Sequence, residues 1–286
     1  MQEKLMFHRR GFIKLLAITA LLAAAAPAAL AVTAEDAEAN VVMWNKVRVS
    51  LFADRQISEQ ADQVIELEAP PRAEDASTVP ISIRNKLPQG TDRYVQKIYL
   101  IIDNNPSPVG AVFSFTPDSG RADLETRVRI EEYTHIRAIA ELSDGSLYMA
   151  KRFVRGSYGC SAPGGKDAAD AQARLGKMKL RITDPITLNQ PVQAQLMISH
   201  PNNSGLVMDQ MSRLYEPSNF VRRIEVTYAG KPVMTADVDF TISQNPNFRF
   251  YFIPRGEGEL KAEVVDSRDV KFESSLTIRE TAVRSR

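Results

Sequence analysis

Cys160 is the only cysteine in a chain of 286 residues, and it stands in the stretch RGSYGCSAPGGKD, Arg155 to Asp167. A structural cysteine is expected in an apolar, periodic segment, where the thiol behaves as a small hydrophobe. Here Gly156 and Gly159 precede the thiol and Gly164 and Gly165 follow it. Glycine lets the backbone take positive φ and lays no side chain over the sulfur, so these four positions read as the joints of a flexible loop. Lys151, Arg152 and Arg155 come before the thiol and Lys166 after it. Nearby positive charge lowers a thiol pKa and suits an anionic adduct. The expectation is an accessible, activated thiol that carries a group covalently. It has no packing role, so Cys160→Ser should leave folding intact.

Other chemistry has little to work with. Beyond residue 31 the chain holds two histidines, His135 and His200, too few with one thiol for a His/Cys zinc site. His135 sits in an alternating strand pattern and reads as a strand histidine. His200 opens the loop HPNNSG, where a turn-structuring role and a functional one both stay open. The PGGK at 163–166 lacks the spacing of a phosphate-binding loop. A cysteine–histidine nucleophile pair is disfavoured because both histidines belong to strand or turn contexts. No metal and no cofactor is expected, and the chain reads as a non-enzyme.

The first residues read as an address. Lys4, Arg9, Arg10 and Lys14 form a basic region, Leu15 to Leu22 an apolar run, and Ala29-Leu30-Ala31 a cleavage site, which is the pattern of an export signal. RRGFIK places a twin-arginine signal ahead of an ordinary secretory one, and cleavage after Ala31 puts the protein in the periplasm. Loss of this leader removes four basic residues and one acidic, moving the net charge from +1 to −2. A near-neutral surface argues against nucleic acid as a partner. No later run is long enough to span a bilayer.

These residues must be positioned by β structure. Period-2 alternation recurs in QVIELEA (63–69), VPISIRN (79–85), QKIYLIID (96–103) and TRVRIEEYTHIRAIAEL (126–142), then SLYMAKRFV (146–154) after an SDG turn. VVMWNKVRVSLF (41–52) reads as a short helix with Val42, Trp44, Val49, Leu51 and Phe52 on one face. Past the cysteine an Ala-rich linker runs from Asp167, a possible N-cap, to Gly176, a C-terminal stop. A second β series follows: 178–184, 191–199, 221–240, 247–254, 258–266 and 270–278. Hairpin chemistry is expected at AGK (229–231), RGEG (255–258) and SRD (267–269). The fold class is all-β, two tandem immunoglobulin-like sandwiches. Their bounds are 32–165 and 177–286, joined by a linker at 166–176.

Longer motifs resemble a known family, the SoxY and SoxZ sulfur carriers, joined here in one chain. The SoxY-like marks are LEAPPRAEDASTVPISI (67–83), IDNNPSPVGAVFSFTPDSGRADLETRVRI (102–130) and IRAIAELSDGSLYMAKRFV (136–154), leading to the Gly-Cys element. The SoxZ-like marks are HPNNSGLVMDQ (200–210), FVRRIEVTYAGKPVMTADV (220–238) and ISQNPNFRFYFI (242–253). The fused arrangement is similar to carriers associated with quinoprotein dehydrogenases. The resemblance implies that Cys160, with Gly159, is loaded with a thiosulfate-derived or related sulfur group. It also implies presentation to periplasmic sulfur-oxidising or quinoprotein dehydrogenase-associated enzymes. Ser161 stands where the family has a glycine, and the cysteine arm is followed by a second domain. The alternative is a non-catalytic accessory module of a quinoprotein dehydrogenase system. The two sandwiches are expected to pack together and melt as one, with Cys160 near their shared edge.

Overall fold

Where apolar and polar residues alternate, the chain buries one face of each strand, and most of the expected runs do so. The computed structural model describes residues 34–90, 92–162, 173–183, 185–209 and 212–279. The leader at 1–31 and most of the linker, Asp167 included, lie outside them. Helix α1 (Ala34–Phe52) leads. The first half continues with β1 (Ile57–Ser58), β2 (Ile65–Glu68), β3 (Val79–Asn85) and β4 (Val95–Ile102). Then come β5 (Val109–Phe115), β6 (Leu124–Val128), β7 (Thr134–Leu142) and β8 (Leu147–Val154). The second half supplies β9 (Met178–Ile182), β10 (Val192–Ile198), β11 (Val221–Tyr228) and β12 (Lys231–Val238). It ends with β13 (Asn247–Phe252), β14 (Gly258–Asp266) and β15 (Lys271–Ile278).

The strands form two layers. One sheet has nine strands in the order β1-β8-β7-β4-β5-β12-β11-β14-β15, the other six in the order β2-β3-β6-β13-β10-β9. Each half of the chain thus makes an immunoglobulin-like sandwich, and the two halves join side by side in both layers. Antiparallel pairing of β5 with β12 runs from Phe115↔Met234 to Ala111↔Val238, and β6 meets β13 at Glu125↔Arg249. Without these pairings β5 and β6 would be open edges with unsatisfied backbone groups. One apolar core crosses the seam, with Leu100, Phe113 and Ile136 from the first half against Val226, Phe248 and Phe250 from the second. Phe113 and Phe248 meet edge-to-face at 6.1 Å.

Turn chemistry was legible where consecutive strands share a sheet. Ala229 and Gly230 take φ of 48° and 75°, the paired left-handed geometry of a two-residue hairpin, and close β11 onto β12. SDG closes β7 onto β8, and SRD closes β14 onto β15. RGEG is different: it carries the chain from β13 in the six-stranded sheet to β14 in the nine-stranded one, so it is a crossover and not a hairpin. The run 126–142 also divides, because β6 and β7 belong to opposite layers. The helix expected at 41–52 forms, but its inner face is Trp44, Val47, Leu51 and Phe52, packed on Ile101, Ile139 and Met149. Val42 and Val49 are exposed, because the helical repeat turns them away from the sheet.

Candidate carrier site

The site is built on the crossover between β6 and β7. Residues 129–133 pass from one layer to the other and present backbone groups that neither sheet uses. Ile130 N–H donates to Ala76 O at 2.8 Å. The segment after β8 docks on this crossover: Tyr158 N–H donates to Glu131 O at 2.8 Å and Gly159 N–H to Ile130 O at 2.9 Å. Tyr158 takes a φ of 63°, turning the chain inward so that its own ring lies exposed and the next two residues are buried. A Cβ on Gly159 would lie 2.0 Å from Ala76 O and 2.7 Å from Ile130 O. In this conformation Gly159 is required for close approach of two backbones, while Gly156 packs beside Ala73. Gly164 and Gly165 lie outside the described residues.

Cys160 follows directly and is 1% exposed. The Glu131 carboxylate accepts from Cys160 N–H at 2.8 Å and Ser161 N–H at 3.2 Å through one oxygen. Its other oxygen accepts from the Ser161 hydroxyl at 2.7 Å. From the second half, the Ser204 hydroxyl donates to Cys160 O at 2.7 Å. Arg129 is buried beside the thiol and bridges the halves, donating to Asn202 O and Phe240 O at 2.6 Å each. Cys160 therefore lies at the junction of the two sandwiches, held by side chains from both.

The electrostatics correct the expectation of an accessible thiolate. Burial, then the negative charge of Glu131, push the Cys160 thiol up to about 12, with Arg129 opposing. The described cations nearest in sequence are engaged or placed elsewhere. Lys151 pairs with Glu59 at 2.8 Å, Arg152 is exposed on β8, Arg155 lies over the Phe153 ring, and Lys166 is outside the described residues. Asp239, also near the thiol, is pushed up to about 6 by burial. Glu131, Arg129, Asp239 and Ser204 were not singled out from the sequence. Only Glu131 had a signal there, since Glu131-Glu132 interrupts the alternation of 126–142.

The histidines serve the framework. His135, on β7, packs edge-to-face on Phe153 at 5.1 Å, and burial with Arg137 close by holds its pKa down to about 4. His200 is buried; its Nδ1 accepts from Asn202 N–H at 3.0 Å, and its Nε2 lies 3.6 Å from Asp266 Oδ2. It shapes the HPNNSG turn, in which Asn202 takes a φ of 49°.

Among curated proteins none matches the sequence. Two family models do: Sulfur oxidation protein SoxY over residues 48–160 and Sulphur oxidation protein SoxZ over 181–277. Among solved structures, the sulfur carrier protein SoxY from Chlorobium limicola f thiosulfatophilum is similar at 21% identity. That match covers 43% of this chain and all of that one, with a TM-score of 0.36. A superoxide reductase (neelaredoxin) from Ignicoccus hospitalis is similar at 17% identity over 34% of this chain and 82% of that one, TM-score 0.30. Fibronectin(III)-like modules of Clostridium thermocellum CbhA match at 12% identity over 74% and 93%, TM-score 0.23. With the SoxY match ending on the thiol and the SoxZ match filling the second sandwich, the chain belongs to the SoxY and SoxZ families as a fused SoxYZ-like protein.

Proposed function

We propose that the protein is a periplasmic covalent carrier, in which Cys160 holds a thiosulfate-derived or related sulfur group and presents it to partner enzymes. The observation that carries this reading is the place of Cys160: it is the last residue matched by the SoxY model. It also lies at the seam of the two halves on a loop docked by hydrogen bonds outside both sheets. Such a loop can leave without breaking either sheet. Loading needs that opening. With burial and Glu131 pushing the thiol up to about 12, the closed form holds very little thiolate at neutral pH, and the thiolate is the nucleophile. In that role the chain needs no base or metal of its own; sulfur-oxidising or quinoprotein dehydrogenase-associated enzymes do the chemistry.

Burial of Cys160 favours a second reading, a non-catalytic accessory module of a periplasmic quinoprotein dehydrogenase system whose thiol only packs. Intact-protein mass spectrometry of the periplasmic form separates the two. The carrier shows a reductant-labile sulfur adduct on the wild type and none on Cys160→Ser. A bare thiol in every growth condition leaves the accessory module, and a covalent dimer leaves a disulfide bridge.

A further inference from the structure

We propose that Glu131 is a load-sensing latch: its carboxylate holds the empty Cys160 loop shut, and an anionic group on Cys160 drives the loop out. The latch rests on the carrier reading for its purpose and on the closed loop for its geometry.

Three hydrogen bonds from two adjacent residues converge on the one carboxylate, from Cys160 N–H, Ser161 N–H and the Ser161 hydroxyl. Bonds to a charged acceptor are the strong ones, and they tie down the residue that bears the cargo together with its successor. A neutral thiol is compatible with this neighbour. A sulfonate-terminated adduct is not, for two reasons. Cys160 is 1% exposed, and the loop next to it is already pressed on the crossover, where a Cβ on Gly159 would overlap Ala76 O, so atoms added to the sulfur have to push the loop open. A buried anion also costs heavily unless paired. The charged groups acting on the thiol are Glu131 and Asp239 against one Arg129, and both of Arg129's terminal nitrogens are engaged with carbonyl oxygens, Nη1 with Asn202, Phe240 and Ile242 and Nη2 with Pro201. Among the described residues, an arriving anion therefore meets like charges and one cation whose terminal nitrogens already hold carbonyl oxygens. The Ser161 in place of glycine belongs to the device, since its hydroxyl is the third bond.

The test is amide hydrogen exchange, read by mass spectrometry on peptides covering 156–162, with the full chain in three forms. These are the reduced protein, the neutral carbamidomethyl adduct made with iodoacetamide, and an anionic adduct made with tetrathionate. In the last, the thiolate displaces thiosulfate: the Sγ–S bond forms as the central S–S bond breaks. Thiosulfate leaves with the electron pair and the thiol proton passes to buffer, leaving Sγ–S–SO₃⁻. The anionic form is expected to exchange about tenfold or more faster than the neutral one, the size of effect a lost charge-assisted bond gives. In Glu131→Gln, which keeps an acceptor oxygen without the charge, the gap between adducts should close. Ser161→Ala should loosen the reduced loop and keep the gap, a check that survives if Glu131→Gln folds poorly. Equal or slower exchange of the anionic form in the wild type, as when Arg129 receives the cargo, overturns the latch, and so does a gap that persists in Glu131→Gln. Because the adducts are placed chemically, the outcome is separate from whether a sulfur adduct is found in the periplasm.

Discussion

A thiol framed by glycines and followed by a lysine is ordinarily an exposed one, and here the fold reverses that. Cys160 is buried next to a close backbone contact at Gly159 that a Cβ would block, and its ionisation is opposed by burial and by Glu131. The raised pKa is also a statement about stability. The folded thiol keeps its proton up to about 12, while the unfolded one loses it near 9.0, so its contribution is whole below the unfolded value and is lost as pH rises through this window. Urea denaturation should therefore show the wild type losing about 1.4 kcal/mol per pH unit above about pH 9 relative to Cys160→Ser. Parallel pH profiles for the two would show that the thiol is solvated. Gly159→Ala puts a Cβ on backbone oxygens that cannot move far. The expected result is a displaced loop, with iodoacetamide labelling of Cys160 more than about tenfold faster and the melting temperature little changed.

At the scale of elements, the seam and the crossovers decide where the chemistry lies. Gly110 of β5 faces Thr241 across the seam, and an added Cβ would lie 2.7 Å from the Thr241 Cγ2 methyl. Thr241 O in turn accepts from Arg129 N–H at 2.7 Å, linking seam packing to the site. Gly110→Val is expected to destabilise by about 1–3 kcal/mol through overpacking, whereas Gly90→Ala, with nothing within 4 Å, should stay within about 0.5 kcal/mol. Equal effects in thermal denaturation would mean that the seam is loosely packed. The helix adds a covered patch on the nine-stranded sheet, where Trp44 lies 4.3 Å over the Arg137 guanidinium. Arg137 in turn holds the buried Asp103 at 2.7 Å.

For the whole molecule, shared sheets and a shared core imply one cooperative unit. Calorimetry of the intact protein should give a single transition. Residues 32–165 alone would expose the β5 and β6 edges and are expected to be less stable or to associate. Two independent transitions, or a first half equally stable when separated, would contradict the fused architecture. The proposed export is tested on the whole chain as well. Changing Arg9 and Arg10 together to Lys should abolish periplasmic yield if the leader is of the twin-arginine type, and an unchanged yield would indicate the general secretory route.

What the sequence determined by itself was everything carried by local period and by residue type. Alternation marked the strands, AGK and SRD marked true hairpins, and the family motifs marked Cys160. These are short-range properties, set by the two-residue repeat of a strand and by which side chains tolerate positive φ. What only the tertiary structure decided was which strands share a sheet. RGEG and the middle of 126–142 read as β chemistry locally, yet both are crossovers, because sheet membership depends on partners far along the chain. The character of the site followed from the same cause. Lys151 and Arg152, close to Cys160 in sequence, are carried elsewhere by strand geometry, while Glu131, Arg129, Asp239 and Ser204 converge on it from other elements. Burial and charge at an atom are sums over neighbours in space, and a sequence lists neighbours only along the chain.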